Sequence, residues 1–218
     1  MKKFILLIIS LKIFANCIIG ITGGYKEIFK PLIKQYNLIH KEKITVIYGP
    51  LGTLIANAKL KNISMIFGEK ETLKQNGFNS FIPIGKDNLT IICRKKTNLD
   101  DLNQTKIAVP NPKGTIYGNR AEEFFKNIHI HPINELTVSM MPQGINYLQM
   151  NIVECAVANE VMALFLKNKY SYIEIKKNYT PIILGFSSIK KSKTCVDFIK
   201  FLKSEKIKKY LKSRGICI

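Results

Sequence analysis

Residues 44–61 read ITVIYGPLGTLIANAKLK, and this stretch decides the fold. The apolar run 44–48 predicts a buried strand, and the helical spacing of apolar residues in 53–61 predicts a helix. Glycine and proline in 49–52 predict a tight turn between the two. A continuous apolar strand followed at once by a helix is typical of the βα units that build a parallel sheet.

The same alternation of apolar runs and helical segments continues along most of the chain. The other predicted strands cover 18–21, 63–67, 89–93, 107–109, 136–140 and 155–158. The other predicted helices cover 25–36, 70–76, 120–126, 144–152, 160–167 and parts of 194–210. The sequence therefore predicts an α/β fold with mainly parallel sheets flanked by helices.

Two extended stretches, 88–95 and 176–185, bracket the middle third of the chain. They would carry the chain across to a second unit and back, so we place the hinges there. The prediction is a two-lobed protein in which residues 17–90 and 182–218 form lobe 1 and residues 91–181 form lobe 2. Two crossover strands would join the lobes.

The N-terminus has the pattern of an export signal. Lys2 and Lys3 precede a short apolar run, 4–10, which is too short to remain as a membrane anchor. We therefore predict a signal peptide over residues 1–16 and a periplasmic protein. Two outcomes stay open, namely simple cleavage and lipid attachment at Cys17.

The five cysteines are irregularly spaced and contain no C-x-x-C pair, which disfavours zinc ribbons and thioredoxin-like chemistry. Cys93 and Cys155 lie in apolar runs and are interpreted as small core residues. Cys195 and Cys217 flank the last helical segment. A disulfide between these two is one alternative in an oxidising compartment.

Lysine and arginine outnumber aspartate and glutamate by 34 to 15, which gives a formal net charge of +19. The basic residues are scattered through every segment and form no stripe with interleaved aromatic residues. We therefore expect no nucleic-acid partner. The positive charge favours an anionic ligand by long-range attraction.

Four short stretches stand out in chain order. They are 21–25 (ITGGY), 48–54 (YGPLGTL), 107–121 (IAVPNPKGTIYGNRA) and 198–204 (FIKFLKS) with Gly215. As an ordered set they resemble the periplasmic molybdate-binding proteins of ABC importers, a branch of the type II solute-binding proteins. The resemblance covers nearly all of the chain that follows the predicted signal peptide.

This resemblance implies a two-lobed type II fold and a receptor that captures a small oxyanion, similar to molybdate or tungstate. Such a receptor delivers its ligand to the permease subunits of an ABC transporter. The chain contains no P-loop, zinc-protease or serine-hydrolase motif, and the predicted cleft loops carry neutral residues. We therefore expect no enzyme activity, no metal and no cofactor.

Helix N-termini that follow glycine, serine or threonine present free N–H groups and a positive dipole end to an anion. Several such turns around one cleft would hold an oxyanion with neutral donors alone. The ligand-binding residues predicted from these turns are Thr22, Gly23, Gly24, Gly52, Thr53, Tyr117, Gly118, Gln143 and Gly144. The resemblance adds Asn159, which stands where the family has a tyrosine.

The chain departs from the pattern of the family it resembles at two of these turns. Gly24 and Leu51 stand where the family usually has serine hydroxyls. Two alternatives therefore stay open. The cleft would bind an organic or chelated ligand, or the protein would be an envelope component that keeps the scaffold and has lost the site.

Overall fold

The structure, a computed structural model, describes residues 17–60 and 62–218. The predicted signal peptide, residues 1–16, lies outside the described residues, as does Lys61. Across the described ranges, no helix combines the length and the apolar character that crossing a membrane requires.

The strands of the described residues form two five-stranded sheets. In chain order the strands are β1 (Cys17–Thr22), β2 (Ile44–Gly49), β3 (Met65–Glu69), β4 (Phe81–Asp87), β5 (Leu89–Cys93), β6 (Ile107–Pro110), β7 (Glu135–Val138), β8 (Cys155–Asn159), β9 (Ser171–Ile175) and β10 (Ile182–Ser188). The first sheet has the order β2-β1-β3-β10-β4, and the second has the order β7-β6-β8-β5-β9.

Helices follow the strands as the alternation predicts. They are α1 (Lys26–Ile39), α2 (Leu51–Lys59), α3 (Lys70–Gln75), α4 (Ile116–Asn127), α5 (Met141–Gln149), α6 (Glu160–Leu166), α7 (Lys193–Leu202) and α8 (Glu205–Ser213), with short 3-10 helices at Gly23–Tyr25 and Asp100–Asn103. Helices α1 to α3 follow β1 to β3, and α4 to α6 follow β6 to β8. The predicted α/β fold is confirmed.

In each sheet four strands run in one direction and one runs against them. Strand β10 is antiparallel to both β3 and β4, and β5 is antiparallel to both β8 and β9. These two reversed strands are the ones that the chain enters directly after crossing from the other sheet. The carboxyl ends of the remaining strands therefore lie on the crossover side of each sheet, where ligands bind in open α/β sheets.

The chain crosses between the sheets at two places. Strand β4 ends at Asp87 and β5 begins at Leu89, while β9 ends at Ile175 and β10 begins at Ile182. Both crossings lie within the stretches predicted as hinges. The lobe boundaries stay a prediction, and the sheet membership of the strands favours a first boundary close to Asn88.

The cysteine pairing differs from the sequence-based expectation. Cys17 is bonded to Cys195, and Cys93 is bonded to Cys155, which leaves Cys217 as the free cysteine of the described chain. The alternative Cys195–Cys217 disulfide is therefore wrong. The alternative of lipid attachment at Cys17 is also wrong for this structure, because a sulfur in a disulfide cannot carry a lipid thioether.

The register of the second sheet explains why Cys93 and Cys155 are more than small core residues. The two cysteines are direct partners across the antiparallel pair β5–β8. Their Cα atoms are 4.1 Å apart, and both side chains are almost fully buried. Sequence reasoning could not anticipate this register, because 62 residues separate them.

The C-terminal helices pack against the first sheet and α1. The ring of Phe198 on α7 lies 6.2 Å from that of Phe186 on β10 and 5.3 Å from that of Tyr36 on α1. Gly215 follows α8 with a φ of +90°, a left-handed conformation that glycine adopts without steric cost. Glycine therefore suits this position directly after the end of α8.

Candidate functional site

The candidate site lies where the carboxyl ends of the two sets of strands face each other. Thr22 and Glu69 end strands of the first sheet, and Pro110, Val138 and Asn159 end strands of the second. Each of these ends leads into a helix, directly or through a short loop. The arrangement brings polar strand ends and helix N-termini from both sheets to one cleft.

A buried carboxyl group connects both sides of the cleft. Asp87, the last residue of β4, is 1% exposed, and its Oδ2 accepts hydrogen bonds from the hydroxyls of Tyr25 at 2.7 Å and Tyr117 at 2.6 Å. Its Oδ1 accepts from the N–H groups of Asn88 at 2.8 Å and Glu160 at 3.3 Å. Tyr25 follows β1, and Tyr117 lies on α4, so the cluster joins the two sheets.

Burial dominates the protonation chemistry of this cluster. It raises the pKa of Asp87 from 3.8 to about 7, against the opposing effect of the hydrogen bonds from Tyr117, Tyr25 and Asn88. Burial and the neighbouring Asp87 raise the pKa values of Tyr25 and Tyr117 well above 10.0. The cluster therefore holds two neutral tyrosines around a carboxyl group that titrates near neutral pH.

An ion pair forms a second contact across the cleft. Arg120 Nη2 on α4 lies 3.4 Å from Glu69 Oε1 at the end of β3, and the two side chains are 12% and 2% exposed. Glu69 Oε2 accepts from the N–H and hydroxyl of Thr72 at 2.8 and 2.6 Å. Glu69 thus caps α3 with one oxygen and faces Arg120 with the other.

Several buried polar atoms of the described chain have no hydrogen-bond partner within it. They are Thr22 Oγ1, Thr90 Oγ1, Arg120 Nε and Asn159 Nδ2. Thr22, Arg120 and Asn159 belong to the strand ends and helix that border the cleft, and we call their three atoms the cleft donors. Buried polar groups are normally paired, so these three atoms are candidates for contacts to a bound acceptor.

The predicted residues of the first sheet lie along the cleft edge. Thr22 ends β1, and a Cβ atom placed on Gly24 would lie 3.2 Å from Met141 Cε and 3.9 Å from Asn159 Nδ2. Gly24 is therefore within contact distance of residues from the second sheet. A Cβ atom placed on Gly23 would have no neighbour within 4 Å. Gly52 and Thr53 are exposed in the first turn of α2.

The predicted residues of the second sheet divide into two groups. Asn159 ends β8, is fully buried, and caps α6 by accepting from the Met162 N–H at 2.9 Å. Tyr117 reaches the cleft, but its hydroxyl already donates to Asp87. Gln143 uses its side-chain amide on Ser139 and Tyr147.

Gly118 and Gly144 have packing roles in this structure. The N–H of Gly118 donates to Thr115 Oγ1 at 3.0 Å, and a Cβ on Gly118 would lie 2.0 Å from the Pro110 carbonyl oxygen. A Cβ on Gly144 would lie 3.3 Å from Ala108 Cβ. Both glycines let a helix approach the second sheet closely, which places them below the cleft surface.

Sequence reasoning missed Asp87, Glu69 and the side chains of Tyr25 and Arg120. Asp87 precedes an asparagine between two apolar runs, a context typical of an exposed turn. Its burial follows from the crossover, which places the end of β4 between the sheets. No local signal in the sequence reports that position.

The lobes touch at the cleft in this structure. Two surface cavities of about 290 and 280 Å³ lie elsewhere, the first beside Phe125 and His131 and the second beside Leu202 and Ile218. At the cleft itself, the contacts of Tyr25 with Tyr117 and of Arg120 with Glu69 join the two lobes.

Two α/β lobes, joined by two crossovers and meeting at a polar cleft, define the class of two-lobed solute-binding proteins. The sequence comparison agrees with this class. The model of the family described as bacterial extracellular solute-binding protein matches residues 18–216. The chain belongs to this family, whose members bind solutes and are not enzymes.

Solved structures show the same fold at low sequence identity. The substrate binding domain of a putative molybdenum ABC transporter from Clostridium difficile is 18% identical, with 93% of this chain and 99% of that chain covered and a TM-score of 0.75. The periplasmic molybdate-binding protein of Azotobacter vinelandii is 14% identical, with 93% and 99% covered and a TM-score of 0.77.

A third similar structure is L-phospholactate-bound PEB3, a protein of Campylobacter jejuni. It is 18% identical to this chain, with 93% of this chain and 100% of that chain covered and a TM-score of 0.77. No curated protein sequence matches the chain. At these identities the structural likeness establishes the fold, which confirms the predicted two-lobed type II architecture.

Proposed function

We propose that this protein is the extracytoplasmic receptor of an ABC importer and captures a small oxyanion, similar to molybdate or tungstate, between its two lobes. Family membership and the fold support the receptor role. The two structural neighbours that are named for molybdenum or molybdate support the ligand class.

The observation that carries the ligand class is a pair of neutral donors on facing sheets. Thr22 Oγ1 and Asn159 Nδ2 are both buried, both are cleft donors, and they belong to the ends of β1 and β8. A tetrahedral oxyanion has acceptor oxygens in several directions and would accept from both. Leaving a buried donor without a partner costs about 1–3 kcal/mol of free energy. A bound anion would recover this free energy by accepting the hydrogen bond.

The predicted contacts differ in how well the geometry supports them. Thr22, Gly23, Gly24 and Asn159 lie where a bound anion would touch both sheets. Gly52 and Thr53 lie on the exposed first turn of α2, from which their N–H groups would reach the ligand. Tyr117, Gly118, Gln143 and Gly144 have weaker support, because their polar groups or their Cα atoms are engaged within lobe 2.

The disulfides support the periplasmic location and export. Cys17–Cys195 and Cys93–Cys155 would form and persist in an oxidising compartment, and such bonds are rare in the reducing cytoplasm. A receptor in that compartment would deliver its ligand to permease subunits in the inner membrane. The predicted signal peptide fits this route.

Ligand capture would use hinge closure at the two crossovers. Asn88 lies between β4 and β5, and residues 176–181 connect β9 to β10. Opening at these points would separate Tyr25 from Tyr117 and Arg120 from Glu69. The bound anion would then stabilise reclosure by bridging the strand ends.

Isothermal titration calorimetry tests the proposal with molybdate, tungstate, sulfate and phosphate at constant ionic strength. The expected result is saturable binding of at least one oxyanion, with one site per chain. Absence of binding to all four would overturn the oxyanion assignment. An organic molecule released from denatured native protein would then favour the alternative ligand class.

A further inference from the structure

Arg120 brings a full positive charge to a cleft whose other two cleft donors are neutral. Helix α4 places it one turn after Tyr117, and its side chain is 12% exposed. The other arginines, Arg94 and Arg214, are exposed. Arg120 therefore differs from them in facing the cleft from a largely buried position.

The guanidinium of Arg120 is incompletely paired among the described residues. Nη1 donates to Asn119 Oδ1 at 2.5 Å and lies 3.9 Å from Glu123 Oε2, while Nη2 lies 3.4 Å from Glu69 Oε1. Nε has no partner in the described part of the chain. Nε and Nη2 together form the edge that binds a carboxylate, phosphate or similar anion through two parallel hydrogen bonds. Glu69 reaches only one end of that edge.

Glu69 is held in place by its other oxygen. Its Oε2 accepts two hydrogen bonds from Thr72, so the carboxylate cannot turn to engage Arg120 fully without losing the cap of α3. The carboxylate of Glu69 thus faces the guanidinium of Arg120 across the cleft, and only one of its oxygens makes the 3.4 Å contact. A free anion in the cleft would have no such restraint.

We propose that Arg120 is an anion-binding residue of the cleft and that Glu69 is an internal competitor, which the incoming anion displaces from Arg120. The proposal rests on the proposed function and adds a charged contact to it. The ligand class is an anion with at least two oxygens that can meet Nε and Nη2 together. Glu69 keeps its cap on α3 when displaced and lowers the affinity by repulsion.

The decisive experiment compares Glu69→Gln, Arg120→Gln and Arg94→Gln by calorimetry with molybdate, sulfate and inorganic phosphate at constant ionic strength. Glutamine at position 69 keeps a carbonyl oxygen for the Thr72 cap and removes the charge. Glu69→Gln is expected to tighten binding about 10-fold. Arg120→Gln is expected to weaken it about 10- to 100-fold, the effect of losing a charge-assisted hydrogen bond.

Arg94→Gln is the matched control. It removes the same charge from a residue that directly follows β5, at the end of the strand away from Leu89. At the rise of an extended strand, this position is roughly 16 Å from the cleft edge. Its affinity should equal that of the wild type. Arg120→Lys should bind at an intermediate level, since lysine keeps the charge and lacks the planar edge.

Thermal unfolding of each variant confirms that the fold is intact before its affinity is compared. If the wild type binds an anion, and Arg120→Gln binds it with the same affinity as Arg94→Gln, the role of Arg120 is overturned. The oxyanion function would then still stand. If neither the wild type nor Glu69→Gln binds any of the three anions, both proposals fail.

Discussion

The hydroxyl groups of Tyr25 and Tyr117 are in hydrogen-bonding contact although 92 residues separate them in the chain. One follows a strand of the first sheet, the other begins a helix packed on the second, and the hydroxyls of both lie within hydrogen-bonding distance of Asp87 Oδ2. The contact exists only when the two lobes meet. The two tyrosines therefore mark the closed arrangement of the lobes, and we expect its stability to depend on the protonation of Asp87.

The stability of the folded protein should fall as the pH rises from about 4 to about 7 because of Asp87. Its pKa is raised from 3.8 to about 7 by burial, so in this window the folded state keeps a proton that the unfolded state has lost. The loss of folding stability caused by Asp87 amounts to at most about 4 kcal/mol over this pH range, and it does not increase further above pH 7.

Urea denaturation of the wild type and of Asp87→Asn at pH 4.5 and pH 7.5 measures this contribution. Asparagine keeps an acceptor for the tyrosine hydroxyls and cannot ionise, so the variant should lose less stability between the two pH values. Other titrating groups contribute equally to both proteins. An identical pH dependence in both would contradict the assignment.

Anion affinity should decrease as the pH rises through 7. Ionised Asp87 would add a negative charge beside the ligand, whereas the protonated form would not. Sulfate is the suitable probe, since its own charge does not change over this range. Calorimetry at pH 6 and pH 8 should show weaker binding at pH 8 in the wild type and no difference in Asp87→Asn.

Removal of single donors should weaken anion binding without unfolding the protein. Thr22→Val keeps the side-chain shape and removes the hydroxyl, and a loss of about 5- to 100-fold in affinity is expected. Asn159→Asp keeps the oxygen that caps α6 and replaces the amide donor with a charge, so its loss should be larger. Thr45→Val, on exposed β2 surface, is the control and should bind normally.

Gly118→Ala should destabilise the protein by about 3 kcal/mol, because the added Cβ would lie 2.0 Å from the Pro110 carbonyl oxygen. Gly114→Ala, four residues earlier, places its Cβ in open space and should change stability little. Urea denaturation distinguishes the two variants. Equal stability of both would show that Gly118 is not held against β6.

Loss of the Cys17–Cys195 bond should cost about 2–5 kcal/mol, in the range found for native disulfides of exported domains. Cys195→Ser removes this bond, whereas Cys217→Ser removes the exposed free thiol and should be nearly neutral. Thermal unfolding under non-reducing conditions measures both. A large effect of Cys217→Ser with none of Cys195→Ser would reverse the pairing assigned here.

The fold could be predicted from the sequence because its signal is local. Strand β3 is buried on both faces, so every one of its residues is apolar, small or paired, and the run 63–67 identifies it. Glycine-rich turns and helical spacing then follow within a few residues. The direction of each βα unit and the α/β class are consequences of that short-range pattern.

The site was only partly predictable because its contacts join distant segments. Thr22 was predicted from its place at a turn before a helix and Asn159 from the family resemblance, and as ligand contacts both stay predictions. The bonds from Asp87 to Tyr25 and Tyr117 join residues 62 and 30 positions apart, and the Arg120–Glu69 pair spans 51. The roles of Gly118 and Gly144 in ligand binding stay predictions, since a glycine at a helix start serves close packing as readily as ligand binding.

Each disulfide stays within one half of the molecule. Cys17–Cys195 fastens β1 to α7, Cys93–Cys155 fastens β5 to β8, and neither runs from one sheet to the other. Oxidation of these cysteines would thus stabilise each lobe against heat and proteases without linking the two lobes covalently. A receptor with disulfides placed in this way can gain stability within each lobe and still open to release its ligand.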